Sequence, residues 1–290
     1  MTRLRHLRFP AVLALSLIVV GPGELFAWGG TGHRVTGRIA HDHLSAAARV
    51  RVEEVLGGAH LDQVTVWADF VRAESSWGFA SSWHYTTVPD DTQPGEVLAD
   101  ASLTPEVDDV LEAIEFLIAV LEGGAEETEA FSRILTDAEA SLYAGTVEGT
   151  ALALLSHFVG DLHQPLHVGN GDDRGGNSIT VKWFGEEKNL HSVWDSGMIE
   201  REGLSYSELS EFLEREFVGD AELWSQGEAV DWALESKLLR QQEVYVWGQG
   251  RSNNLPDLSW QYQHDKIPTV KKRLFQAGVR LALLLNNIYE

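Results

Sequence analysis

Apolar residues recur at three- and four-residue spacing along most of this chain, a pattern that commits it to packed helices and leaves little of it for sheet. Val107, Val110, Leu111, Ile114, Leu117, Ile118 and Leu121 repeat in this way behind Thr104 and Pro105, an N-cap and a first helical position, until Gly123-Gly124 stops them. A second run begins near Val147 and passes Leu152, Leu155, His157 and Phe158 before Pro165 ends it. The last starts at Pro268 and continues through Val270, Leu274, Ala277, Leu281 and Leu284 to Ile288. Between them, Ser178 to Phe184 alternates, predicting a short strand or hairpin near 178–184 behind a Gly/Asn/Asp-rich loop from Gly169 to Asn177. No internal repeat or long linker interrupts the pattern, so the expected fold class is all-α, a single mostly helical domain.

Chemistry is bounded by what is missing. The 290 residues include no cysteine, which excludes a disulfide framework, a thiolate-held metal and a thiol nucleophile. The 44 acidic residues outnumber the 22 basic ones and give a formal net charge of -22, so the chain repels polyanions at long range and lacks the usual basic groove for nucleic acid. A phosphate-ester substrate would have to be neutralised by something other than Lys and Arg.

The first residues read as a targeting segment. Arg3, Arg5 and Arg8 precede an apolar run from Ala11 to Val20, and Leu25-Phe26-Ala27 stands just before Trp28. That is the layout of a secretory signal peptide over 1–27, cut after Ala27, with an uncleaved anchor as the alternative. The apolar run is too short to span a bilayer. Removing 1–27 takes away three Arg and Glu24, leaving the mature chain, 28–290, at -24. The expected location is exported, periplasmic or secreted, with no membrane anchor after processing and no obligate protein partner.

Several of the 11 histidines stand at ligand spacing. His157 and Asp161 are one helical turn apart, their Cβ atoms about 6 Å from each other on one face. His167 follows after Pro165, and His191 and Asp195 repeat the four-residue spacing. One such pair alone is more often a helix ion pair. Two pairs with a third His supply imidazole nitrogens and carboxylate oxygens, the set zinc prefers where thiolates are absent. Upstream, His33, Asp69 and His84 stand in Trp28-Gly-Gly-Thr-Gly-His33, Trp67-Ala-Asp69 and Trp83-His84-Tyr85.

With these words in place, the chain resembles the S1/P1 family of zinc-dependent single-strand nucleases from Trp28 to Tyr289. The resemblance also rests on Trp67-Ala-Asp69-Phe-Val-Arg72, His157-Phe-Val-Gly-Asp161-Leu-His-Gln-Pro-Leu-His167, Gly175-Gly176-Asn177, Asn189-Leu-His191-Ser-Val-Trp-Asp195 and Ala277-Gly-Val-Arg-Leu-Ala282. It implies the phospholipase C/P1 nuclease fold and three Zn²⁺ per chain. Asp69, His84, His157 and Asp161 would hold the first, and His167, His191 and Asp195 the second. Trp28 through its freed amine and carbonyl, His33 and the other oxygen of Asp161 would hold the third. Three dications against three aspartates would meet the phosphate where basic residues do not. The implied reaction is attack of a zinc-bound hydroxide on phosphodiester bonds of single-stranded DNA and RNA, giving 5′-phosphates, together with 3′-nucleotidase activity.

Asp69 would also orient the nucleophile, and Arg72 would contact the phosphate, unless it only pairs with Asp69. Asn177 matches a phosphate-region asparagine, or is a plain turn residue. Tyr85 would stack on an unpaired base, or is a core ring. Thr87 departs from the acidic residue that family members often carry at its position. His163 reads as a residue behind the ligands or in the core, and His41, His43, His60 and His264 match no ligand position. A zinc phospholipase C shares the fold but carries glutamate where Asp195 stands. A non-catalytic zinc-binding protein would show exposed His-rich tracts, which this sequence lacks.

Overall fold

The computed structural model describes residues 28–93, 107–248 and 250–290, and these are mostly helical. The expected signal peptide and the expected helix start at Thr104-Pro105 lie outside the described residues. The helices used below are α1 (Gly30–Asp42), α2 (Ala46–Val55), α3 (Leu61–Val64), α4 (Trp67–Val71), α5 (Val110–Leu121), α6 (Ala125–Asp137), α7 (Val147–Leu162), α8 (190–200), α9 (Tyr206–Phe217), α10 (Ala229–Leu239) and α11 (Trp260–Tyr289).

Everything is arranged about α7. Thr146 caps it, its hydroxyl accepting from the Gly149 amide at 2.9 Å, and Pro165 stands beyond its end in the 3-10 turn Pro165–His167. Every residue from Gly149 to Leu162 is buried. A helix apolar nearly all round belongs in an interior, and this one carries His157 and Asp161 inside with it. One apolar cluster gathers Trp77, Trp83, Phe131 and Phe158 with α5 and α7, and a second gathers Trp28, Trp194 and Phe275 with α1 and α11.

Two helix starts differ from the spacing. Val107 lies outside α5, because Asp109 caps that helix by accepting from the amides of Leu111 (2.8 Å) and Glu112 (3.1 Å). A carboxylate that satisfies two orphan N–H groups fixes the first turn more firmly than an apolar match three residues earlier. The last helix begins at Trp260, with Pro268 inside it. Proline removes the bond to the His264 carbonyl, but both residues are exposed, so water replaces the lost donor and the helix continues.

The alternating segment forms β3 (Thr180–Trp183), which makes a hairpin with β4 (Glu186–Asn189) across Phe184 and Gly185, both at positive φ. On its other side β3 pairs in parallel with β6 (Leu255–Leu258), and β6 with β5 (Arg251–Ser252). These last strands are too short to show periodicity. A separate two-residue parallel pair, β1 (Thr86–Thr87) with β2 (Val168–Gly169), joins the segment after His84 to the segment after His167.

Helix α1 crosses α3 at Gly37, where an added Cβ would lie 2.8 Å from the backbone of Leu61 and Asp62. Backbone cannot swing aside as a side chain does. Gly37→Ala is therefore expected to lower unfolding stability by about 1–3 kcal/mol, read from the urea midpoint at unchanged m-value.

Candidate metal centre

Four elements bring donors to one buried point on α7. Asp161 turns Oδ1 towards Nε2 of His33 on α1, at 3.3 Å, and Oδ2 towards Nδ1 of His84 (2.9 Å) and Nε2 of His157 (3.3 Å). The His33 and His157 rings stack at 3.8 Å. Asp69, from α4, places Oδ1 at 3.8 Å from the same His157 nitrogen, and Arg72 holds that oxygen at 3.4 Å. A neighbouring group forms where α8 passes His167. His191 Nε2 is 3.0 Å from Asp195 Oδ2, and His167 Nε2 is 3.9 Å from Asp195 Oδ1. Asp195 sits in a π-helical turn, Val193–Gly197, a local widening of the kind found at functional sites.

Three sets of donors thus have their ligand atoms within 4.8 Å of one another: His33, His157 and Asp161; Asp69, His84 and His157; His167, His191 and Asp195. Both nitrogens of His33 and Oδ1 of Asp161 are buried without a hydrogen-bond partner. Leaving such groups unpaired is costly, and a cation between them removes the cost. Orientation agrees. Nδ1 of His157, His167 and His191 each stands 2.6 Å from a backbone carbonyl, of Thr65, His84 and Gly175 respectively. Donating Nδ1–H outward leaves the Nε2 lone pairs facing inward, the arrangement a metal requires. Gly175 makes its share possible: at φ +60° it turns its carbonyl to His191, and a Cβ there would lie 2.5 Å from the Leu166 oxygen. The donor set fits Zn²⁺.

Protons and cations compete here. Burial, then the neighbouring His157, holds His33 and His84 well below the ordinary imidazole range, so they are neutral donors. Burial opposes charge on His157, but Asp161 and Asp69 outweigh it and raise its pKa. Burial raises Asp161 to about 7 and Asp195 to about 6, against the pull of His157 and His191.

The other expected site residues lie around this centre. Trp28 is fully buried, and the next amide, of Gly29, donates to the Asp195 carbonyl at 2.9 Å. Tyr85, 41% exposed, lines a cavity of about 310 Å³ that reaches His84, His167 and His191 and includes Thr87. Asn177 is outside that lining. Its side-chain amide donates to the Arg174 carbonyl at 2.9 Å, so part of its capacity is spent in the turn.

A family model described as S1/P1 Nuclease matches residues 28–290. Endonuclease 1 of Arabidopsis thaliana is 30% identical over 293 residues, covering 94% of this chain and 91% of the relative. Nuclease S1 of Aspergillus oryzae is 25% identical, with 96% and 98% covered, and nuclease P1 of Penicillium citrinum is 25% identical, with 90% and 98% covered. The chain belongs to the S1/P1 nuclease family. Its helical architecture is that of the family, and as an S1/P1 nuclease it is a phosphodiester hydrolase.

Several residues that surround the donors of this S1/P1 nuclease are not among the expected site residues. Thr65 holds His157 through its carbonyl and takes up the His33 carbonyl with its hydroxyl at 2.8 Å. Gln164, fully buried, donates to Asp195 Oδ1 at 2.5 Å and accepts from the Leu166 amide at 2.5 Å. Its place between His163 and Pro165, inside the word from His157 to His167, is the signal that could have found it. Arg174 lines the Tyr85 cavity with its backbone at φ +58°. His163 faces away from the ligands: its Nδ1 bonds the Val159 carbonyl (2.7 Å), and its Nε2 accepts from Arg280 (2.9 Å), which also pairs with Glu235.

Two outcomes follow from this geometry. Metal binding must displace protons from His157, raised to about 9, and from Asp161 and Asp195, so it weakens as the pH falls through about 9, 7 and 6, about tenfold per displaced proton for each pH unit. Calorimetric zinc titrations at pH 7.5 and 5.5, in buffers of different ionisation enthalpy, would read both the weakening and the protons released. Gln164→Leu is expected to lower affinity for one metal by about 10–100-fold while circular dichroism stays unchanged.

Proposed function

We propose that this chain is a trinuclear zinc-dependent endonuclease and 3′-nucleotidase, exported after loss of residues 1–27, that hydrolyses single-stranded DNA and RNA to 5′-phosphate products. The observation that carries the reading is the convergence of three His/Asp donor sets about α7, with both nitrogens of His33 and Oδ1 of Asp161 buried and unbonded, beside a cavity with an exposed aromatic edge. Asp69, His84, His157 and Asp161 hold the first metal, His167, His191 and Asp195 the second, and Trp28, His33 and Asp161 the third. When bound, these ions supply Lewis acidity and a water acidified to neutral pH.

The protein's own groups do the positioning. Asp69 is the least enclosed of the acidic ligands, with its side chain 13% exposed, and it orients the attacking water. Arg72, held against Asp69, presents a guanidinium to the phosphate, while Asn177 approaches the same group from its turn. Tyr85 stacks on a base, which selects unpaired strands because a paired base offers no free face. Thr87 meets the base edge with a neutral hydroxyl that both donates and accepts. Export accounts for Trp28 as a ligand, since only cleavage turns its amide nitrogen into an amine.

The deciding experiment counts zinc in protein beginning at Trp28 and measures hydrolysis of single-stranded DNA, duplex DNA, RNA, a 3′-nucleotide and phosphatidylcholine before and after chelation. About three zincs with chelator-sensitive release of 5′-nucleotides from single strands supports the proposal. Cleavage of the lipid alone would identify a phospholipase, and zinc without hydrolysis a binding protein. Tyr85→Ala is expected to raise KM for single-stranded DNA about tenfold, with a smaller change in kcat.

A further inference from the structure

Away from the nuclease centre, three side chains from three helical elements meet at the far end of α1. His41, in the last turn of α1, is buried, and its Nδ1 has no hydrogen-bond partner. Its Nε2 lies 3.5 Å from Oε1 of Glu53 on α2, and His60, at the head of α3, brings its own Nε2 to 3.9 Å from the same oxygen. The two imidazoles stack at 4.2 Å with 15° between their planes. The ligand atoms of the three residues lie within 4.8 Å of one another.

We propose that His41, Glu53 and His60 form a separate divalent-cation site, of the kind zinc occupies, that staples α1, α2 and α3 together. Two stacked imidazoles repel when both are protonated, so the geometry suits neutral rings that offer lone pairs. Burial, then His60 and Arg49, lowers the pKa of His41 and keeps it a donor at neutral pH. Two imidazoles and one carboxylate leave a fourth position for water, a common zinc set. That position opens outward, because the His60 side chain is 51% exposed and Glu53 38%. The His60 ring also caps the Gln63 amide, but that amide keeps a bond to the His60 carbonyl at 3.0 Å, so the ring can turn to a cation without orphaning it. Arg49, bonded to the His41 carbonyl at 3.0 Å, is the nearby opposing charge and sets this site weaker than the inner ones.

His41 is two turns from His33 along α1, about 12 Å, so the cation touches none of the catalytic donors. Its effect is mechanical. It fixes the exposed end of α3 against α1, while the close approach of Gly37 to the backbone of Leu61 and Asp62 keeps the two helices together without the ion, so the catalytic donors hold their places.

The test compares wild type with Glu53→Gln and with His60→Asn, each saturated with zinc, dialysed, counted by plasma mass spectrometry and melted with and without added zinc. Both variants should hold one zinc equivalent fewer than wild type, lose part of the zinc-dependent rise in Tm, and hydrolyse single-stranded DNA at the wild-type rate. Equal zinc content and an equal Tm rise in all three proteins would overturn the site. Loss of the equivalent together with loss of hydrolysis would overturn its separation from the catalytic centre.

Discussion

The carboxylate of Asp161 is the constraint around which the rest of the molecule is organised. It is fully buried on a helix that is itself buried, and each oxygen faces imidazole: His33 from α1 on one side, and on the other His84 from the 3-10 segment and His157 one turn back on the same helix. A negative group so placed is tolerable only if cations or protons share the site. The same arrangement fixes three segments in space, because α1, the 3-10 segment Ser75–His84 and α7 must all converge on it. Apolar packing reaches the cluster directly, with Phe158 edge-on against His84 and His157.

Around that point, backbone does much of the orienting. The carbonyls of Thr65, His84 and Gly175 each anchor a histidine from behind, so the direction of the ligand nitrogens follows from the path of the chain. A second layer of buried charge fixes that path. Arg273 donates to the His163 carbonyl at 3.0 Å, and Arg273 and Arg280 both hold Glu235 at 2.6 Å, tying the end of α7 to α10 and α11. Breaking one partner of such a network leaves charge buried and unpaired, which is worse than replacing the whole network with apolar side chains.

Much of this was legible in the sequence, for identifiable reasons. The bounds of α7 were written by Thr146 and Pro165, two residues with strong local preferences, and the His157–Asp161 spacing had one geometric meaning once that helix was recognised. Where local rules compete, the spacing misled. Val107 matched the apolar period of α5 but lost to the Asp109 cap, and Pro268 looked like a start but lies on a solvent-facing turn where its missing donor is harmless. The strands β5 and β6 are defined by partners distant in sequence, so no window along the chain contains the information that makes them. The carbonyls of Thr65 and His84 belong to the backbone, which every residue shares, and no side-chain motif could single them out.

The small pairing of β1 with β2 has a wider consequence. Thr86 faces Val168 and Thr87 faces Gly169, and the buried guanidinium of Arg240 clamps both sides by donating to the carbonyls of Val88 and Val168. His84 and Tyr85 precede one strand, and His167 precedes the other. The spacing between the aromatic edge of the cavity and the imidazole of His167 is therefore ruled by main-chain hydrogen bonds. Side chains on the cavity wall, Thr87 and Arg174 among them, can then vary without moving the Tyr85 ring relative to the metal-site donors. Such a scaffold separates the question of which group is received from the question of where it is cut.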